Sequence, residues 1–204
     1  MFLTNLYPEL LIFFIKSLSD NNIFNWCKNN SIQLLKRSDV LEIISRDTYN
    51  ICIAGTHGKT TTSTMVALVL RDSGFGCNAF LGGIATNYQT NFWSDPNPVA
   101  VIEADEYDRS FLKLYPNVIS ISAMDPDHLD IYHTAIEMED AFVQFTSNLK
   151  KDGLLISKKG IQREDELKAA MHYSYHLNDN TADIYTTALA IKDGGYQYTV
   201  NGPG

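Results

Sequence analysis

A lysine and three threonines close a short glycine loop, Gly55-Thr56-His57-Gly58-Lys59-Thr60-Thr61-Thr62. Glycines at 55 and 58 let the backbone curl so that its N–H groups converge on one point, which is how a chain cradles an anion. Lys59 adds a positive charge that can reach a terminal phosphate. The Thr60 hydroxyl is of the type that ligates Mg²⁺ beside that phosphate. The apolar run Ile51-Cys52-Ile53-Ala54 precedes the loop, and an apolar-periodic segment follows it. Strand, loop and helix therefore come in the order that phosphate binding at a helix N-terminus requires. The spacing is shorter than the common one. Only Thr56 and His57 separate Gly55 from Gly58-Lys59, and Ile53 stands where the usual pattern has its first glycine. A strand–turn–helix with an incidental lysine is the competing reading.

Two further clusters of polar residues follow strand-like runs. Val99-Ala100-Val101-Ile102 is an apolar run of the kind buried on both faces of a parallel sheet. It ends in Glu103-Ala104-Asp105-Glu106-Tyr107-Asp108. Open α/β sheets bind ligands off the carboxyl ends of their strands, so Glu103, first off this one, is the expected Mg²⁺ ligand. Asp105, Glu106 and Asp108 read equally well as a solvated acidic turn. Asn117 to Ser122 is another strand, running into Ala123-Met124-Asp125-Pro126-Asp127-His128-Leu129-Asp130-Ile131-Tyr132-His133. His128, off a strand end and among aspartates, is a candidate metal ligand or phosphate-orienting group. His133, His172 and His176 are assigned no role.

These groups need a scaffold, and the chain is long enough for one domain or one and part of another. It has 204 residues, 45% of them apolar, and a net charge of −8 with no basic stripe. That balance argues against nucleic acid or an anionic membrane as a partner. Cys27, Cys52 and Cys77 form no metal-like spacing, and their odd number argues against a disulfide framework and for a reducing compartment. Cys52 reads as a small apolar filler in a buried strand. Leu10 to Ile15 is apolar but far too short to span a bilayer. Pro8 to Ser19 reads as a short amphipathic or buried helix, with a cleaved signal as the lesser alternative.

The remaining elements follow from periodicity and punctuation. Asn21 to Ser31 reads as a polar helix and loop, Ile32 to Leu35 as a short strand, and Ser38 as the cap of a helix through Ile44. Thr61 to Ser73 is expected to be a helix with Met65, Leu68 and Val69 facing the core and Gly74 as its stop. Cys77 to Leu81 is a strand ending at Gly82-Gly83, a pair that reads either as a turn or as a close backbone approach. Thr134 to Glu137 has capping-box spacing and opens a helix to about Lys150. Gly153 to Ser157 is a strand, and Arg163 to Ala170 a short charged helix. Met171 to Leu177, Asp183 to Ile191 and Tyr196 to Val200 are rich in β-formers, the last two joined by a hairpin turn at Asp193-Gly194-Gly195. The expected fold class is α/β: a mostly parallel sheet flanked by helices with a phosphate loop, plus a small antiparallel β portion near the C-terminus.

Three of these motifs together resemble the Mur ligase family. The loop from Gly55 to Thr62 has that family's short glycine spacing. Glu103-Ala104-Asp105-Glu106, with Asp108 and Ser110-Phe111, resembles the acidic motif of its UDP-N-acetylmuramate–L-alanine ligase branch. Asp127-His128-Leu129-Asp130 with Tyr132 resembles the downstream Asp-His motif. The match covers about residues 32 to 200. It departs at Ala123, where the family commonly carries asparagine.

The resemblance implies an ATP-dependent ligase of peptidoglycan precursor synthesis that joins L-alanine to the carboxylate of UDP-N-acetylmuramate through an acyl phosphate. It implies that residues 1–48 are the remnant of a UDP-sugar domain and linker. Residues 49–204 would be an incomplete central ATP-binding domain, with the N- and C-terminal Mur domains missing. ATP would lie on Gly55, Thr56, His57, Gly58, Lys59, Thr60 and Thr61; Thr60, Glu103 and His128 would ligate Mg²⁺; Lys59 and His128 would be catalytic. A cytoplasmic location fits the cysteine usage and the ATP chemistry. The rival readings are a muropeptide-recycling ligase that takes a tripeptide, and a non-catalytic nucleotide-binding remnant.

Overall fold

The computed structural model describes residues 22–30, 34–126 and 131–203. The helix expected over Pro8 to Ser19, and the segment Asp127-His128-Leu129-Asp130, lie outside the described residues. Helix α1 spans Asn22–Asn29 and α2 Arg37–Asp47; then come β1 (Tyr49–Ala54), α3 (Lys59–Asp72), β2 (Asn78–Ala85), β3 (Thr90–Trp93) and β4 (Val99–Glu103). A 3₁₀ segment over Tyr107–Lys113 leads to β5 (Val118–Ile121), α4 (Ala135–Thr146), β6 (Leu154–Lys158) and a 3₁₀ turn at Glu164–Glu166. Strands β7 (Met171–His176), β8 (Ile184–Lys192) and β9 (Gly195–Asn201) complete the described elements.

The strands form one nine-stranded sheet in the order β3-β2-β4-β1-β5-β6-β7-β8-β9. The neighbours from β2 to β8 run parallel, and β3 and β9 pair antiparallel at the two edges. The expected α/β class is borne out, and the antiparallel C-terminal portion continues the same sheet. The β8–β9 hairpin turns at Asp193 and Gly194, both at positive φ (51° and 78°), as a tight primed turn requires. Strand β3 was not anticipated.

Strand β1 sits between β4 and β5, with Ile53 opposite Glu103 and Ala54 opposite Ile121. The chain therefore changes direction across the sheet at β1, and the loops leaving β1, β4 and β5 emerge side by side. That is the topological switch point at which open α/β sheets form their ligand crevice. All five residues of β4 are buried, as a strand covered on both faces demands. On one face Phe111 packs edge-on to Phe142 (centroids 5.3 Å apart) and against Phe145 (4.7 Å), over Ile119, Ile121 and Leu155. On the other, Ala67, Ala79, Leu81, Val101 and Trp93 form a second cluster beneath α3. Cys52 lies fully buried in the first cluster, a small apolar filler as expected; all three cysteines are free thiols.

Several local expectations are corrected. In α3 the buried residues are Ser63 and Ala67, with Val66 and Leu70 packed beside them, while Met65 and Val69 are exposed. The left-handed Gly58 (φ 77°) that caps the helix sets its phase, so the stripe facing the sheet is 63, 66, 67 and 70. Helix α2 starts at Arg37 rather than after Ser38, because the Asp39 carboxylate accepts the Lys36 N–H at 2.9 Å. Leu34 and Leu35 are not in a strand, and the rest of that expected strand lies outside the described residues. Strand β2 runs through Gly82-Gly83 to Ala85.

Thr134 caps α4 as expected, its hydroxyl accepting the Glu137 N–H at 3.2 Å. The helix ends at Thr146, and the Lys150 ammonium instead donates to the carbonyls of Ser45 (3.0 Å) and Thr48 (2.8 Å) at the end of α2. Only Glu164–Glu166 of the expected charged helix is helical: Arg163 is left-handed (φ 54°) and engaged with Asp140 and Glu166. No helix among the described residues is long and apolar enough to cross a membrane.

Candidate functional site

Gly55 leaves β1 at φ 121°, a conformation that L side chains rarely adopt. A Cβ there would stand 2.4 Å from Ser122 Oγ and 2.9 Å from the Ala123 backbone nitrogen, so the loop passes hard against the chain leaving β5. Two bonds lock that contact. The Thr56 N–H donates to the Ala123 carbonyl (3.0 Å), and the Asp125 N–H donates to Thr56 Oγ1 (3.2 Å). The Ser122 hydroxyl donates to the His57 carbonyl. His57 and Asp125, both exposed, approach to 3.6 Å. Ala123 thus supports the loop through its backbone.

Lys59 is the first residue of α3. Its ammonium donates to the Gly55 carbonyl at 3.0 Å and to Glu106 Oε1 at 2.7 Å. The Lys59 side chain is only 14% exposed, and the Glu106 side chain is fully buried. Thr60, on the next position, donates to Glu103 Oε1 at 2.7 Å. The other Glu103 oxygen accepts the Gly82 N–H at 2.6 Å, with Ser63 Oγ at 3.4 Å. Gly82-Gly83 is therefore a close approach, not a turn: a Cβ on Gly82 would fall 2.4 Å from Glu103 Oε1. Thr61 is exposed on the first turn of α3.

Glu106 escapes the sequence because it shares a short stretch with Asp105 and Asp108. The backbone separates them. Asp108 and Arg109 are both left-handed (φ 52° and 60°), and the turn is closed by Ser110 Oγ and Phe111 N–H donating to the Asp105 carbonyl at 3.0 and 3.1 Å. That bend leaves Asp108 exposed and Glu106 inside. Tyr132 fixes it from the far side, its hydroxyl donating to the Glu106 carbonyl at 2.5 Å. Burial pushes the Tyr132 phenol up to about 12, so it stays a donor throughout the physiological range. The Arg109 guanidinium lies over its ring, 5.2 Å from the centroid. The downstream motif is thereby tied to the acidic turn, although His128 lies outside the described residues.

A hard-oxygen pair, the Thr60 hydroxyl and the Glu103 carboxylate, suits Mg²⁺, which takes one or two protein ligands and fills the rest with phosphate and water. Among the described residues no group of three or more His, Cys, Asp or Glu stands together as a closed metal cage. A cleft of about 560 Å³ opens instead beside Arg163, His172 and Asp183. Its polar groups answer one another: Ser157 with His172 at 2.8 Å, Ser174 with Asp183 at 2.7 Å, and Arg163 with Asp140.

Comparison with known proteins shows the family and the fold. The family model described as Mur ligase middle domain matches residues 53–203. The UDP-N-acetylmuramate–L-alanine ligase of Porphyromonas gingivalis is similar at 40% identity over 188 residues, covering 91% of this chain and 41% of the relative. The chain thus spans about two fifths of the length of such curated relatives. The crystal structure of UDP-N-acetylmuramate-alanine ligase from Thermotoga maritima superposes with a TM-score of 0.76 at 22% identity, over 95% of this chain and 44% of that one. The MurF ligase of T. maritima in complex with ADP gives 0.61 at 12% identity, over 95% and 47%. At those identities the two structures speak for the fold.

Proposed function

The chain belongs to the Mur ligase family, and on that footing we propose that it is the ATP-binding central part of an amide-forming ligase of peptidoglycan precursor synthesis. The substrates assigned are UDP-N-acetylmuramate and L-alanine, because the curated relatives carry that activity in their names; those names favour alanine over a recycled tripeptide. Residues 1–48 are read as the remnant of a UDP-sugar domain and linker, and 49–204 as the ATP-binding domain. The three free thiols fit a reducing, cytoplasmic compartment.

The observation that carries this reading is the Thr60–Glu103 contact at 2.7 Å, one residue from Lys59 and at the carboxyl edge of three adjacent strands. Gly55, Thr56, His57, Gly58, Lys59, Thr60 and Thr61 would wrap the phosphates, with backbone N–H groups and the start of α3 facing the anion. Lys59 would neutralise charge on the β- and γ-phosphates as it grows during transfer. Thr60 and Glu103 would hold Mg²⁺, and His128 is assigned to a second ion by family likeness. Magnesium would screen the like charges of the triphosphate and the attacking carboxylate. In the reaction assigned, a carboxylate oxygen of the sugar nucleotide takes the γ-phosphoryl group and ADP departs. The alanine nitrogen then attacks the acyl carbon, expelling phosphate and losing a proton.

Isothermal calorimetry of the 204-residue chain with a non-hydrolysable ATP analogue tests the core of this. Binding that weakens when Mg²⁺ is withdrawn is expected, with no ADP release when ATP and both substrates are supplied to this chain alone. Absence of binding in the presence of Mg²⁺ would refute it. Gly82→Ala drives a methyl group into the Glu103 carboxylate, so it should cut the Mg²⁺-dependent gain in affinity about tenfold, or ~1.4 kcal/mol, while sparing Mg²⁺-free binding. An unchanged Mg²⁺ response in that variant would remove Glu103 from the metal site.

A further inference from the structure

Lys59 carries a second relationship that nucleotide binding alone does not require. Its ammonium has three N–H donors. One is spent on the Gly55 carbonyl at 3.0 Å and one on Glu106 at 2.7 Å. The Glu106 carboxylate is fully buried, and a charge so placed needs an opposite charge beside it. It comes from a different strand connection, 47 residues along the chain, and is aimed inward by the left-handed pair Asp108-Arg109 and by the Tyr132 hydroxyl on its own carbonyl. A surface carboxylate could drift away when an anion arrives; this one is built in.

We propose that Glu106 is the resident counter-ion of Lys59, an internal anion that competes with an incoming phosphate for the ammonium and thereby sets the affinity of the loop for nucleoside di- and triphosphates. The inference rests on the nucleotide-binding reading above and deepens it. Glu106 is here a positioning and affinity-setting residue: it acts through Lys59 and touches no reacting atom. Its pairing keeps the lysine oriented. The same pairing holds nucleotide affinity below what the lysine could reach alone, because part of its field is cancelled beforehand.

Two measurements on the 204-residue chain test this. The first is calorimetric titration of ADP without Mg²⁺ into wild type and Glu106→Gln, which keeps the size and an acceptor oxygen but removes the charge. The variant is expected to bind ADP about tenfold tighter, ~1.4 kcal/mol. Equal or weaker binding overturns the inference. Failure of the wild type to bind ADP at all overturns the nucleotide reading on which it stands. If the glutamine variant does not fold, Glu106→Asp, which withdraws the charge by one methylene, is read in the same way, with about threefold tightening expected.

The second measurement is a ligand-free cycle of thermal unfolding over wild type, Lys59→Met, Glu106→Gln and the double variant. Each single change should lower Tm, and the double variant should be more stable than either single one. Additive losses would show that the two groups do not act on each other, and would equally overturn the inference.

Discussion

Lys59→Ala will reduce affinity for a Mg²⁺-bound ATP analogue by at least a hundredfold, about 2.7 kcal/mol, and will abolish turnover in a full-length ligase. Charge-assisted hydrogen bonds to phosphate contribute roughly 1.5–3 kcal/mol each, and Lys59 is the only cation that the phosphate loop itself supplies. The change has a second consequence. It takes the ammonium away from a fully buried carboxylate, and breaking a buried pair on one side costs about 3–5 kcal/mol. Because Lys59 keeps 14% exposure, the lower end applies, and a Tm fall of roughly 6–12 °C is expected for a domain of this size. Calorimetry reads the first effect and thermal denaturation the second. Wild-type rates of ADP release from the full-length variant would end the assignment of Lys59.

Gly55→Ala will do its damage through the fold. At φ 121° an alanine costs about 1–3 kcal/mol in backbone strain alone. Its Cβ would also stand 2.9 Å from two backbone nitrogens, those of Ser122 and Ala123, a segment held by the Ser122 N–H on the Ala54 carbonyl and the Thr56 N–H on the Ala123 carbonyl, which cannot retreat as a flexible side chain would. Together these should destabilise the chain by about 3–5 kcal/mol and lower Tm by roughly 6–20 °C. Gly58→Ala is the control. It too has positive φ (77°), but a Cβ there meets nothing nearer than Thr62 Oγ1 at 4.0 Å, so strain of about 1 kcal/mol is expected without collision. Equal Tm values for the two variants would mean that the loop does not lean on the β5 exit.

The glycine turn between β1 and α3 could be read from the chain because its signals are local. Two glycines, a lysine and hydroxyl residues within eight positions announce a turn, a charge and a helix start, whatever surrounds them. Val99 to Ile102 was equally legible, since a short unbroken apolar run bounded by a proline and an acid has few uses other than a doubly covered strand. The Asp193-Gly194 turn was legible because its left-handed backbone restricts which residues can stand there.

The readings that failed depended on partners far away in sequence. The spacing of Met65, Leu68 and Val69 is helical, but periodicity fixes only that a helix has a face. Which face turns inward was decided by Gly58 and by the sheet waiting at Ser63 and Ala67. Glu103 could be chosen by its place at a strand end. Glu106 could not be told from Asp105 or Asp108 until two left-handed residues and the Tyr132 hydroxyl bent the turn. Gly82 read either as a turn or as a close approach, and the second was decided only when parallel pairing of β2 and β4 carried its N–H to a carboxylate 21 residues onward.

By itself, then, the sequence determined the α/β class, the glycine loop that carries Lys59 and Thr60 into a helix, and the acid that ends β4, because each depends on residues within a few positions of one another. Only the tertiary structure decided that Thr60 meets Glu103, that Lys59 is held by a buried Glu106, and that Gly55 must be glycine. Those outcomes depend on β4, β1 and β5 lying side by side, and sheet register is set by the packing of the whole chain.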